Sequence, residues 1–81
     1  MAKPSPTYAG AKELVALGKV IRELRSDEGY SQEAFADAVG IDRSYIGGIE
    51  RGEHNLALMN LLKIAKTLNL SASQLLAKTK L

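Results

Sequence analysis

The chain has 81 residues, of which 46% are hydrophobic and 25% charged, with a formal net charge of +2 and no cysteine. These values fit one small globular domain and exclude disulfides, thiolate metal sites and thiol catalysis. No apolar run nears the roughly 18 residues that a membrane helix needs, and no signal-like apolar stretch opens the chain, so a soluble protein of the cytoplasm is expected. Charge is uneven along the sequence. Every acid lies between Glu13 and Glu53, and Lys63, Lys66, Lys78 and Lys80 follow without a carboxylate. A net charge of +2 does not by itself mark a nucleic-acid binder, and a lysine face serves solubility equally well.

Residues 1–10 contain Pro4 and Pro6 with little apolar content and read as a flexible arm, leaving 11–81 as the single domain. Leu14, Leu17, Ile21 and Leu24 recur at helical spacing, which predicts a first helix from about Ala11 to Asp27, stopped by Gly29. Ser31 can cap a second helix, ended by Gly40, a residue suited to the left-handed conformation. Asp42 caps a third. Phe35, Ala36 and Val39 give the second helix one apolar face, and Ile46 and Ile49 give the third another, so both can close on one core. A residue larger than Ala36 would force the pair apart. Leu58, Leu61, Ile64, Ala65 and Leu68 form a fourth helical stripe suited to end at Asn69, with Asn55 upstream as its candidate cap. Ser71 and Gln74 make a capping box for a short last helix carrying Leu75 and Leu76. No segment alternates as a strand would. The expected fold is all-α, with two short helices joined by a glycine turn, the plan of a DNA-binding helix-turn-helix.

The stretch from about Leu17 to Leu76 resembles the Cro and phage-repressor, or Xre, type of helix-turn-helix protein. The residues that carry the likeness are Ile21-Arg22-Glu23-Leu24-Arg25, Gly29-Tyr30-Ser31-Gln32-Glu33, Ala36, Gly40-Ile41, Ile46, Ile49-Glu50-Arg51-Gly52 and Leu61-Leu62-Lys63-Ile64-Ala65-Lys66. Within that family, Asp42 to Arg51 followed by Asn55-Leu56 is most similar to restriction-modification controller proteins, with Gly47 in place of a usual serine and His54 where a basic side chain is common. The resemblance implies a compact five-helix, lambda-repressor-like domain whose third helix reads DNA and whose fifth helps form a two-fold dimer. It implies an autoregulator that binds a palindromic operator as a homodimer, with RNA polymerase as a further partner and no cofactor, membrane or small-molecule substrate. A phage-like repressor, or an antitoxin holding a protein partner on the same scaffold, is the alternative.

Arg43, Ser44 and Tyr45 open the third helix at the end that enters the major groove in this motif, and are the candidate base readers. Arg43 has the forked donors that match guanine O6 and N7, and a cation in a first helical turn opposes the helix dipole. Its bland alternative is a pair with a nearby acid; for Ser44 it is a second capping hydroxyl, and for Tyr45 a ring packed on the domain. Gln32, at the start of the second helix, and Arg51, His54 and Asn55, after the third, are candidate phosphate contacts. For His54 the bland alternative is an exposed loop residue and the sharper one a pH-sensitive DNA contact; as the sole histidine in a chain without cysteine it makes a poor metal ligand. Gly47 is expected to face the groove and Gly48 to let the helix pack near a neighbour, since a helical glycine costs about 1 kcal/mol. By resemblance, Arg25 and Glu50 form a structural ion pair, so Glu50 is scaffold and not a catalytic acid. Leu62, Leu76 and Leu81 are the candidate dimer contacts, among apolar positions that include Leu56 and Met59. No carboxylate and base, phosphate-binding glycine loop or metal-ligand set points to an enzyme.

Overall fold

The computed structural model describes residues 7–81. Within them lie five helices: α1 (Lys12–Asp27), α2 (Gln32–Val39), α3 (Arg43–Glu50), α4 (Leu58–Thr67) and α5 (Ala72–Ala77). Their ends sit where local chemistry places them. The Ser31 hydroxyl accepts from the Ala34 N–H at 3.0 Å, and the Asp42 carboxylate accepts from the Ser44 N–H at 3.1 Å. Ser71 and Gln74 close a reciprocal capping box on α5. At the other ends, Gly40 adopts φ +88° after α2 and Asn69 φ +60° after α4.

Each helix supplies one side chain with no solvent exposure: Ile21, Phe35, Ile46, Ile64 and Leu75. Leu17, Ala36, Val39, Ile49, Ala65 and Leu68 complete the core around them. Full burial of such a side chain stabilises by about 1.5–3 kcal/mol, so every helix is held by tertiary packing. None of α2 to α5 exceeds 10 residues, a length at which an isolated helix is marginal in water.

Two glycines let α1 lie directly on the end of α3. A Cβ on Gly18, in mid-helix, would stand 2.3 Å from the Ile49 carbonyl oxygen and 2.7 Å from that of Glu50. Gly52, at φ +77°, would drive a Cβ to within 2.7 Å of the Val15 side chain. The same Gly52 turns the chain out of α3: its N–H donates to the Ile49 carbonyl at 3.0 Å, and the Glu53 N–H donates to that of Gly48 at 2.9 Å. That pair of bonds is the Schellman closure.

The sequence reading needs correction at two places in the scaffold. Residues 1–6 of the expected arm lie outside the described residues, but its end is anchored: Thr7–Gly10 form a turn, and the Gly10 N–H donates to the Gly52 carbonyl at 2.8 Å. Asn55 does not cap α4. Ala57 occupies the N-cap with extended backbone and no side-chain bond; Ala57, Leu58 and Met59 are exposed there, so water can reach the free N–H groups of the first turn.

Candidate nucleic-acid interface

The first turn of α3 is presented outward by its own cap. Asp42 receives the Ser44 backbone N–H and the Ser44 hydroxyl. The hydroxyl bond is the main reason the Asp42 carboxyl is held below its ordinary range. Ser44 therefore spends its proton on the cap, leaving oxygen lone pairs that can accept from an outside donor. Arg43 beside it is exposed and makes no hydrogen bond or ion pair among the described residues. The pairing with a nearby acid that would have made it structural is absent there. Tyr45 is half-buried. Its ring lies 4.6 Å from that of His54 with a 50° tilt, and its hydroxyl accepts from Asn60 Nδ2 at 3.4 Å.

Behind this turn, one buried carboxylate ties three elements together. Glu50, its side chain 3% exposed, accepts from Arg25 Nε at 2.6 Å and Nη2 at 3.1 Å, and from Gln32 Nε2 at 2.9 Å. The remaining guanidinium nitrogen, Arg25 Nη1, donates to the Tyr30 carbonyl at 2.8 Å. α1, the start of α2 and the end of α3 are thus linked through paired, hydrogen-bonded charges, the condition under which a buried ion pair is tolerated. Gln32 keeps its second amide hydrogen, so a phosphate at the α2 N-terminus remains within its chemistry.

Arg51 is 61% exposed at the side chain and lies across the position where a Gly47 Cβ would stand, 3.1 Å from Nη1. Gly47 is therefore buried beneath Arg51 and Gln32, and does not offer bare backbone to a groove as its sequence suggested. The Arg51 fork is engaged by Glu53 at 2.8 and 3.2 Å. That bond chiefly lowers the Glu53 carboxyl and raises the Arg51 guanidinium relative to their ordinary values. Asn55 is exposed and lines a shallow hollow with Tyr8, Ala11, Glu13 and Leu14.

His54 departs most from expectation. It is not the exposed loop residue that its sequence position suggested, being only 7% exposed. The turn at Gly52 folds its ring onto Gly48, where a Cβ would stand 2.3 Å from Nε2. The neighbour that Gly48 accommodates is this imidazole. Sequence reasoning also missed the close approach at Gly18, the Glu53 partner of Arg51 and the Asn60 contact to Tyr45. Of these only Gly18 left a local sign, a helix-weakening residue in the middle of an apolar stripe.

Of the apolar positions considered for a dimer, Leu56 packs against the core, whereas Met59 (64% exposed), Leu62 (40%), Leu76 (38%) and Leu81 (69%) do not, and Leu58 (65%) joins them. No helix among the described residues is long and apolar enough to cross a membrane, and no group of three or more acidic or histidine side chains there could hold a metal.

Residues 21–75 match the helix-turn-helix family model. The chain is 40% identical to the control protein C.SmaI of Serratia marcescens over 71 residues, 88% of this chain and 82% of that one. Its structure is similar to the crystal structure of the restriction-modification controller protein C.AhdI from Aeromonas hydrophila, with TM-score 0.75, 48% identity, and coverage of 78% of this chain and 96% of the other. The wild-type restriction-modification controller protein C.Esp1396I gives TM-score 0.73 at 36% identity over 85% of this chain and 92% of its own. With the capped, outward first turn of α3 on this scaffold, the chain belongs to the helix-turn-helix family: it is a DNA-binding transcriptional regulator, not an enzyme, and is similar to restriction-modification controller proteins.

Proposed function

We propose that the protein is a controller-like autoregulator of the cytoplasm, binding a palindromic operator as a homodimer. The observation that carries this reading is the first turn of α3, where an unpaired, exposed Arg43 stands beside a Ser44 oxygen with free lone pairs and a Tyr45 held at its ring. Arg43 takes guanine by two parallel bonds, a pairing that contributes about 1–3 kcal/mol of discrimination. Ser44 accepts from an adenine or cytosine amino group, and Tyr45 offers its ring edge to a base or its hydroxyl to a strand. Gln32, Arg51 and Asn55 fix the register on phosphates.

A palindrome read by two α3 helices one DNA turn apart requires a rigid two-fold joint. The exposed Leu62, Leu76 and Leu81, with Leu58 and Met59, supply apolar surface for it. Contact with RNA polymerase is the further step that would let such a dimer activate as well as repress.

Fluorescence anisotropy tests the reading, with wild type and Arg43→Ala titrated onto DNA from upstream of the gene and onto scrambled DNA at two salt concentrations. Wild type is expected to prefer the upstream duplex. Arg43→Ala is expected to lose that preference while keeping weak, salt-sensitive binding. Equal binding of both duplexes by both proteins would remove Arg43 as a reader and favour a protein partner for this scaffold.

A further inference from the structure

We infer that His54 is the positioning residue of Tyr45 in DNA recognition: its buried ring forms the wall that holds the Tyr45 ring at the start of α3, and it does not itself meet the DNA. The inference rests on the reading of Tyr45 as a DNA-facing residue. Three observations lead to it. The imidazole is 7% exposed and packs against Tyr45 at 4.6 Å between ring centroids with a 50° tilt, so the phenol ring has a fixed neighbour. The support is itself fixed, because the Glu53 N–H to Gly48 carbonyl bond of 2.9 Å pins the loop, and the missing Cβ of Gly48 leaves room for Nε2. Finally, no hydrogen bond to a described residue involves the His54 ring, so it is held by packing, with the Glu53 carboxylate as its charged neighbour.

A tyrosine on an unsupported helix surface loses side-chain freedom when it docks, which weakens binding. Here that freedom is removed before DNA arrives. The ring rests on His54, while Asn60, on α4, reaches the hydroxyl at 3.4 Å. Gly48, His54 and Tyr45 thus act as one packed unit. The glycine makes room for the imidazole, and the imidazole aims the phenol.

The test is a double-mutant cycle read by anisotropy on the upstream and scrambled duplexes, using full-length wild type, Tyr45→Ala, His54→Ala, His54→Phe and the His54→Ala/Tyr45→Ala pair. Each protein is assayed well below its own thermal midpoint. The expected result is that His54→Ala reduces discrimination as Tyr45→Ala does, on the order of tenfold. In the Tyr45→Ala background it should do nothing further, and the salt slope should not change. His54→Phe, which keeps a planar ring, should retain the wild-type preference. If His54→Ala does not fold, His54→Leu fills the space without a planar face and serves the same comparison.

Equal weakening on both duplexes with a shallower salt slope would make His54 a direct phosphate contact and overturn the inference. So would a lowered midpoint with both affinities unchanged, the mark of a purely structural role. Tyr45→Ala without effect on either duplex would instead refute the DNA-facing reading of Tyr45, and the inference with it.

Discussion

Replacing Gly18 by alanine sets two effects of opposite sign against each other. Helix propensity favours alanine over glycine in the middle of α1 by about 1 kcal/mol. Packing opposes it. The new methyl would lie 2.3 Å from the Ile49 carbonyl oxygen, 2.7 Å from the Glu50 carbonyl oxygen and 2.9 Å from the Glu50 carbonyl carbon. Carbon and oxygen normally meet at about 3.3 Å or more, so the backbones must separate by roughly 1 Å. All three atoms are backbone, and no rotamer change can relieve the contact. Overpacking of this kind destabilises by about 1–3 kcal/mol, and rigid opposing groups put Gly18 at the upper end. Subtracting the propensity gain leaves a net loss of about 2 kcal/mol, or roughly 8–16 °C in Tm for a domain of this size. Thermal unfolding followed by circular dichroism at 222 nm measures it, with Ser26→Ala at an exposed α1 position as the control. An unchanged or raised Tm in Gly18→Ala would refute the close α1–α3 approach. The displaced element is the end of α3, so upstream-duplex affinity measured on the folded variant should fall as well.

Glu50→Ala strands Arg25, whose side chain is 11% exposed, without its partner, and is expected to destabilise by about 3–5 kcal/mol; urea unfolding should show Glu50→Gln, which keeps an acceptor, losing clearly less. Asp42 has its carboxyl lowered by the Ser44 hydroxyl, so its stabilising effect is complete above the unfolded value of 3.8 and is lost as pH falls through the still lower folded value. The Tm gap between wild type and Asp42→Asn should therefore shrink as the pH falls below 3.8, since asparagine can cap without titrating. Glu53→Gln frees the Arg51 fork for phosphate and is expected to raise affinity for both duplexes and steepen the salt slope by about 0.9 per protomer; an unchanged slope would place Arg51 away from the DNA. Leu62→Glu and Leu76→Glu are expected to shift the protein to monomer in sedimentation velocity while leaving its helix content intact, and full dimer in both would move the joint elsewhere.

Much of the scaffold around the first turn of α3 was legible from the sequence, and the exceptions have a common physical character. Ser31, Asp42 and the Ser71–Gln74 box cap their helices because a capping oxygen meets an N–H only two or three residues away. Most of the core follows from helical spacing, and Leu17, Ile21, Phe35, Ala36, Val39, Ile46 and Ile49 are buried accordingly, whereas Leu58, counted in the fourth stripe, is 65% exposed because it opens α4 outside the packed face. Arg43 could be placed at an exposed first turn by the same local reasoning. The Arg25–Glu50 pair, separated by 25 residues, was accessible only through resemblance to relatives, since nothing in its spacing brings the two groups together.

What tertiary structure decided was every contact made when one helix meets another or a loop folds back. His54 looks like a loop residue in the sequence, and only the turn at Gly52 carries its ring onto Gly48 and Tyr45. Gly47 looks bare until Arg51 lies across it, and Arg51 looks free until Glu53 closes on its fork. Gly18 reads as a weak point in α1 until the carbonyls of α3 arrive against it. Caps and periodicity depend on neighbours within about a turn along the chain, so the five helices and the exposed first turn of α3 were written locally. The packing that aims and shields that turn depends on side-chain volumes and carbonyls brought together from distant segments, and no local pattern encodes it.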